Sequence, residues 1–204
     1  GLLYIGHVNK GVSIFNLKDQ SVESLDFEKT KGGLPDNEIK ALFCDSNDNI
    51  WIGTRKGLAV YNPFTKRIRH IRLASQARNG IEPFVYSIKE IKGAIWVGAE
   101  SSQLFILHPV YSTDRDIQQI RTILPFYLDR GNNSSVQSID RDEFGNVWLA
   151  IYSGGIAFFS HIDPFFSVFP AHEAMPGLGK LAAVTGILLD RDNSMWLATA
   201  GDGV

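Results

Sequence analysis

The stretch Asn49 to Tyr61 reads NIWIGTRKGLAVY: an apolar run, a basic pair closed by a glycine, and a second apolar run. Taken alone, Arg55 and Lys56 are either a charged site or the tip of a hairpin, and the rest of the chain decides between these. Aligned on this stretch, the sequence returns LLYIGHVNKGVSIF at Leu2 to Phe15, AIWVGAESSQLFIL from Ala94, NVWLAIYSGGIAFF from Asn146 and SMWLATAGDGV at the end. The anchoring aromatics are Tyr4, Trp51, Trp96, Trp148 and Trp196, at intervals of 47, 45, 52 and 48 residues. One repeat therefore occupies the whole chain, and no domain boundary interrupts it.

A second apolar run ending in an acidic turn precedes three of the anchors: IKALFCDSNDNIW, VQSIDRDEFGNVW and VTGILLDRDNSMW. The remaining copy, VYSIKEIKGAIW, marks the turn with glycine alone. Alternating apolar positions, β-branched and aromatic residues, and clusters of Asp, Asn and Gly predict strands joined by tight hairpins. The best-formed unit predicts four of them, Ile39–Cys44, Ile50–Thr54, Leu58–Tyr61 and Ile68–Arg72, the last entered through the turn NPFTK. Four antiparallel strands in about 40–50 residues make one blade of a β-propeller.

The tryptophans need no ligand on this reading. A ring at the same place in every blade packs against the next blade, and burying ~200 Å2 of it is worth at most about 5 kcal/mol. The residue two after the ring, Gly53, Gly98, Ala150 or Ala198, is small, as a close approach of two sheets requires.

Composition narrows the function. The 204 residues are 44% hydrophobic and 21% charged with a formal net charge of -2, which describes a folded chain with no electrostatic pull toward nucleic acid or anionic membrane. No apolar run approaches the ~20 residues that span a bilayer, and the start has no signal-peptide pattern. A single cysteine, Cys44, excludes an internal disulfide and a cysteine-based zinc cluster. In the mid-strand setting ALFCD it is expected to be a packed thiol rather than a nucleophile.

The pattern D-x-x-G/N-x-x-W-I-G-T-x-x-G-L, followed by an aromatic residue and N-P-x-T, resembles the two-component regulator propeller repeat. The lead-in GLPDNEIKAL fits it too. The resemblance runs the length of the chain, strongest from Gly33 to Ile71 and weakest around Trp96, where Ser102 or Gln103 replaces the turn glycine. It implies the sensor ectodomain of a bacterial hybrid two-component protein of the kind abundant in gut Bacteroides. It further implies a periplasmic location, a homodimer formed through the parent chain, and oligosaccharides released from glycans as the signal. Neither catalysis nor a cofactor is implied for this segment. A protein-interaction platform and a propeller lyase or quinoprotein are the alternative classes.

The first unit begins at its second strand and the last stops after its second. Expected units are a partial blade over 1–30, blades over 34–80, 81–128 and 133–170, and a partial blade over 181–204. Closing these into a four-bladed ring would duplicate a strand, so an open arc of a larger propeller, expected to have seven blades, is the reading.

In such blades the turns between second and third strands share a face with the connections between blades. That face gathers the tips His7 to Lys10, Arg55-Lys56, Glu100 to Gln103, Tyr152-Ser153 and Gly201-Asp202 with the loops 74–84, 130–135 and 171–181. His7, Asn9, Arg55, Lys56, Glu82, Glu100, Asn132, Tyr152 and Asp202 are the candidate ligand-binding residues. Metal is not expected. DSNDN at Asp45 to Asn49 starts like an EF-hand loop but has Ile50 at its sixth position and Lys56 at its twelfth, so the acids are expected to cap turns. GLGKLA at Gly177 to Ala182 lacks the strand and helix of a dinucleotide fingerprint, and the five histidines lack metal-ligand spacing.

Overall fold

The computed structural model describes residues 1–73, 81–127, 134–160, 166–169, 183–192 and 194–200. These form seventeen strands and no helix, in five antiparallel sheets. The first sheet is β1 (Leu2–Gly6), β2 (Val12–Asn16) and β3 (Val22–Leu25). The second is β4 (Ile39–Cys44), β5 (Ile50–Thr54), β6 (Gly57–Asn62) and β7 (Arg67–Ile71). The third is β8 (Val85–Ile91), β9 (Ala94–Ala99), β10 (Gln103–Tyr111) and β11 (Ile117–Tyr127). β12 (Ser135–Arg141), β13 (Val147–Tyr152), β14 (Gly155–Phe159) and β15 (Phe166–Phe169) make the fourth, and β16 (Val184–Leu189) with β17 (Met195–Thr199) the fifth. Each sheet is an up-and-down meander packed on the next, the arrangement of consecutive propeller blades. In the second sheet the turn into β7 is tighter than the sequence suggests. Asn62 pairs with Arg67, and the Asn62 Oδ1 accepts the N–H groups of Phe64 and Thr65, both at 2.9 Å, so β7 starts one residue early.

The anchoring rings face the next blade. Trp51 is fully buried in a cluster with Val60 and, from the third sheet, Ile95, Val97 and Phe105. Trp96 sits with Leu149 and Ile151 of the fourth sheet and meets the Phe159 ring edge-on at 5.6 Å. Trp148 packs against the cluster holding Val184 and Leu197 of the fifth sheet. Tyr4 does the same against the second sheet, with its ring edge-on to Tyr61 at 6.5 Å. Its buried hydroxyl has no hydrogen-bond partner among the described residues, and burial pushes its pKa up to about 12.

The small residues after the rings are explained by the same contacts. A methyl on Gly53 would stand 2.7 Å from Val85 Cγ1 of the third sheet and 3.1 Å from Ala41 Cβ. On Gly98 it would meet the Ser87 hydroxyl at 2.3 Å and Val136 of the fourth sheet at 2.6 Å. Cross-blade hydrogen bonds tie the strands together: the Ser87 hydroxyl donates to the Val136 carbonyl at 2.9 Å, and Asp140 takes both Lys89 Nζ at 2.9 Å and the Leu189 N–H at 3.2 Å.

Among the described residues, the two end faces carry the same apolar residues without a covering sheet. Leu3 and Ile5 occupy the places of Ile50 and Ile52, yet they are 48% and 42% exposed where Ile50 and Ile52 are 4% and 0%. At the other end Trp196 is 52% exposed and Leu188 is exposed beside it. The five sheets thus form an open arc whose end faces are built like its internal ones.

Candidate functional site

Hairpin tips and lead-in loops meet on one face. The His7 carbonyl accepts the Ile39 N–H at 2.8 Å, and the Gly11 N–H donates to the Asn37 carbonyl at 2.9 Å, so the first tip rests on the entry to the second blade. His7 Nε2 lies 2.8 Å from the Ser13 hydroxyl, while Asn9 is exposed at the turn. The basic pair of the second tip is held by acids of GLPDNE: Arg55 Nη1 lies 3.3 Å from Glu38 Oε2, and Lys56 Nζ lies 3.3 Å from Asp36 Oδ2. The Arg55 N–H also donates to the Glu38 carbonyl at 3.1 Å, so the backbone of the tip is anchored independently of its charges. Glu82 is wedged beside this tip, its carboxylate accepting the Leu73 N–H at 3.1 Å and abutting Gly57, whose φ of +103° no side chain adopts comfortably.

The third tip departs from the repeat and shows how. Ser101 and Ser102 take positive φ values of 55° and 50°, the turn geometry that glycine favours. Ser102 is fully buried and compensates with two bonds across the blade junction, its N–H to the Ser134 carbonyl at 3.1 Å and its hydroxyl 2.5 Å from that of Ser134. Glu100 pairs with Ser135 through an isolated β-bridge. At the fourth tip Tyr152 is 40% exposed. Asn132, Asp202, His161, His172, the GLGKLA stretch and the loop 171–181 lie outside the described residues.

The structure brings Arg55 and Glu100 into one electrostatic neighbourhood through a residue that sequence reasoning passed over, Tyr86. Partial burial raises its pKa, and the charges of Glu100 and Glu38 raise it further against the opposing pull of Arg55. Its ring stacks on Phe84 at 4.5 Å. His7, Asn9 and Tyr152 stand on other blades.

Tyr86 is placed there by a bulge that recurs. The pairing of each first strand with its neighbour skips one residue at the same level, passing from Ile39 to Ala41, Val85 to Ser87, Val136 to Ser138 and Val184 to Gly186. The skipped residues are Lys40, Tyr86, Gln137 and Thr185. First strands of neighbouring blades pack on one another, so this level runs along the inner side of the arc. A bulge unpairs one residue and re-aims its side chain, a device concentrated beside functional sites.

On the opposite face the acidic turns cap themselves and do more. Asp45 Oδ1 accepts the N–H groups of Asn47 and Asn49 at 2.9 and 2.8 Å, as a turn-capping carboxylate should. Its Oδ2 accepts the Trp51 indole N–H at 2.8 Å and the Tyr111 hydroxyl at 3.0 Å. The indole bond repeats from Trp148 to Asp142 at 3.0 Å and from Trp196 to Asp190 at 2.8 Å. Partial burial works against the charged form of Asp142, but the Trp148 and Asn146 bonds prevail and hold its carboxyl below the usual range. Glu90 stands at the equivalent place in the third unit, and its longer side chain crosses to the second blade to accept the Ser46 N–H and hydroxyl, both at 2.7 Å.

Cys44 is a correction to the expected packed thiol: it is exposed. Partial burial and the carboxylates of Asp48, Asp45 and Glu90 push its pKa up, which works against a thiolate nucleophile. Among the described residues no group of three or more His, Cys, Asp or Glu converges as a metal shell.

Residues 33–56 match the two component regulator propeller family. Histidine kinase P4 of Formosa agariphila is 30% identical over 166 residues, covering 79% of this chain and 12% of that protein's own length. Among solved structures, the extracellular domain of a hybrid two component system of B. thetaiotaomicron superposes with a TM-score of 0.73 at 23% identity, over 97% of this chain and 24% of that one. PorZ, a surface component of the type-IX secretion system of Porphyromonas gingivalis, gives a TM-score of 0.69 at 16% identity, over 99% of this chain and 30% of that one. Both structural likenesses establish the propeller fold. The match over residues 33–56 and the tryptophan frame that recurs along the chain identify the repeat as the two component regulator propeller repeat.

Proposed function

We propose that this chain is part of the ligand-sensing, extracytoplasmic propeller of a bacterial hybrid two-component signalling protein. The observation that carries the proposal is the division of each repeat into a constant frame and a variable tip. Tryptophan, small residue and capping acid recur, whereas Arg55-Lys56, Glu100 and Tyr152 differ from blade to blade on one face. A surface of this kind recognises a ligand by contributions from several blades. The kinase relative and the extracellular domain of similar fold support the signalling context.

The signal in this reading is an oligosaccharide, the location is periplasmic, and the parent protein works as a homodimer. No catalysis, cofactor or membrane contact is assigned to this segment. Ligand binding biases a conformational equilibrium of the parent protein only as far as its affinities for the two states differ.

Calorimetry of the intact protein with a panel of glycan oligosaccharides tests this. Heat of binding is expected from at least one, and Arg55→Ala is expected to weaken it by about tenfold, the worth of one charged contact. The same variant should shift unfolding by under about 1 kcal/mol, because the Arg55 to Glu38 pair is solvent-exposed and the backbone bond survives. Absence of heat with every oligosaccharide removes the saccharide reading. Loss of cooperative unfolding in Arg55→Ala refutes the division between frame and tip.

A further inference from the structure

The tryptophans of the frame differ in one bond. The indole N–H groups of Trp51, Trp148 and Trp196 each donate to a carboxylate of their own blade, at 2.8, 3.0 and 2.8 Å. Trp96 has no such acceptor among the described residues, and its turn explains why. The turn below Trp51 runs from Asp45 to Asn49, closed by the Asp45 N–H on the Asn49 carbonyl at 2.9 Å, whereas in the third sheet Ile91 pairs directly with Ala94 around Lys92 and Gly93. No carboxylate closes over the Trp96 ring, because the strand ends on Ile91 and Glu90 is engaged by Ser46 of the second blade. Trp96 is only 6% exposed, so an unbonded N–H is costly there, yet this N–H is not one of the polar atoms sealed from solvent.

The ring borders a cleft of about 280 Å3 between the third and fourth sheets, on the face opposite the tips. Ile91, Ala94, Ile106, Val147 and Phe159 wall it, and the Phe159 ring meets Trp96 edge-on at 5.6 Å. Lys92 and His108 also line it, and both are exposed. Neither is paired with an acid among the described residues.

We propose that this cleft binds a small aromatic monocarboxylate, one ring on a short acid chain, whose carboxylate accepts the Trp96 N–H and lies beside Lys92. The repeat itself defines the chemistry, since the acceptor of this N–H in the other copies is a carboxylate. A hydrogen bond to an ionised acceptor is stronger than one to a neutral group. The apolar walls suit the ligand ring, and contact with Trp96 and Phe159 adds to the area buried. An inorganic anion would leave those walls unfilled, and a neutral sugar would set hydroxyls against them and leave Lys92 without a counter-charge. The volume is close to the ~300 Å3 at which small-molecule sites begin, which suits a single ring. The cleft uses none of the tip residues, so it stands or falls independently of the sensing face.

Calorimetry and crystallography of the intact protein with phenylacetate and hydrocinnamate test the assignment, with phenylacetamide as the neutral isostere and acetate and sulfate as anions without a ring. At least one of the two acids is expected in the cleft with a carboxylate oxygen on Trp96 Nε1, and phenylacetamide is expected to bind about tenfold more weakly. Trp96→Phe keeps an aromatic ring and removes the N–H, and is expected to weaken binding by about tenfold. Lys92→Asn removes the charge and keeps the turn, because asparagine tolerates the φ of +50° found at this position. It is expected to weaken binding several-fold even where Trp96→Phe folds poorly, whereas Arg55→Ala should leave this site unchanged. Neither acid in the cleft, equal affinity for phenylacetamide, acetate or sulfate, or unaltered affinity in Lys92→Asn overturns the proposal.

Discussion

Replacing Asp45 by alanine is expected to destabilise the propeller by about 3–4 kcal/mol, the largest effect of any single polar substitution among the described residues. Asp45 is 4% exposed, and its two oxygens serve five donors: the backbone N–H groups of Asn47 and Asn49, the Asn49 side-chain amide, the Trp51 indole and the Tyr111 hydroxyl. Alanine strands the indole and the phenol beside a cavity. The phenol is committed to donating, because burial and then the Asp45 charge raise its pKa far above the usual tyrosine value. Asp45→Asn should recover part of the loss, since one oxygen can still cap the turn. Chemical denaturation of the two variants beside Asp190→Ala checks this. The Asp190 variant should lose much less, because its turn is solvent-exposed. A loss under about 1 kcal/mol in Asp45→Ala would reduce the residue to an ordinary turn cap.

Trp51→Ala is expected to cost about 3–5 kcal/mol, the range for removing a fully buried aromatic ring. In the same 204-residue chain, Trp196→Ala should cost under about half of that, because half of its ring already faces solvent. Identical residues at identical repeat positions then differ only in the presence of a covering sheet. Equal losses in the two variants would show that the tryptophan contributes chiefly within its own blade.

The frame was legible because it is repeated. A hydrophobic pattern seen once is ambiguous, but Trp51, Trp96, Trp148 and Trp196 in register reveal both the strand order and the need for a small residue two positions later. The acids were legible as caps and not as tryptophan partners, although an Asp six residues before each of Trp51, Trp148 and Trp196 is a signal of the same quality. What stayed hidden depends on contacts between units. The reach of Glu90 to Ser46 spans 44 residues of sequence and replaces a local bond by a cross-blade one. The bulge at Tyr86 leaves no trace in composition, since one extra residue in an alternating strand reads as an ordinary irregularity. The partners of Arg55 and Lys56 lie in the lead-in, where Asp36 and Glu38 looked like part of a family signature rather than like counter-ions. NIWIGTRKGLAVY is therefore a hairpin in which the frame is fixed by packing and the basic tip is steadied by its own lead-in.

The most direct test of the account is the structure of the intact protein around the two end faces of this arc. Further blades should cover them, with Trp196 and Leu188 at one end and Leu3 and Ile5 at the other buried as deeply as Trp51, Ile50 and Ile52 are here. End faces still open to solvent in that structure would contradict the assignment of this chain to a larger propeller.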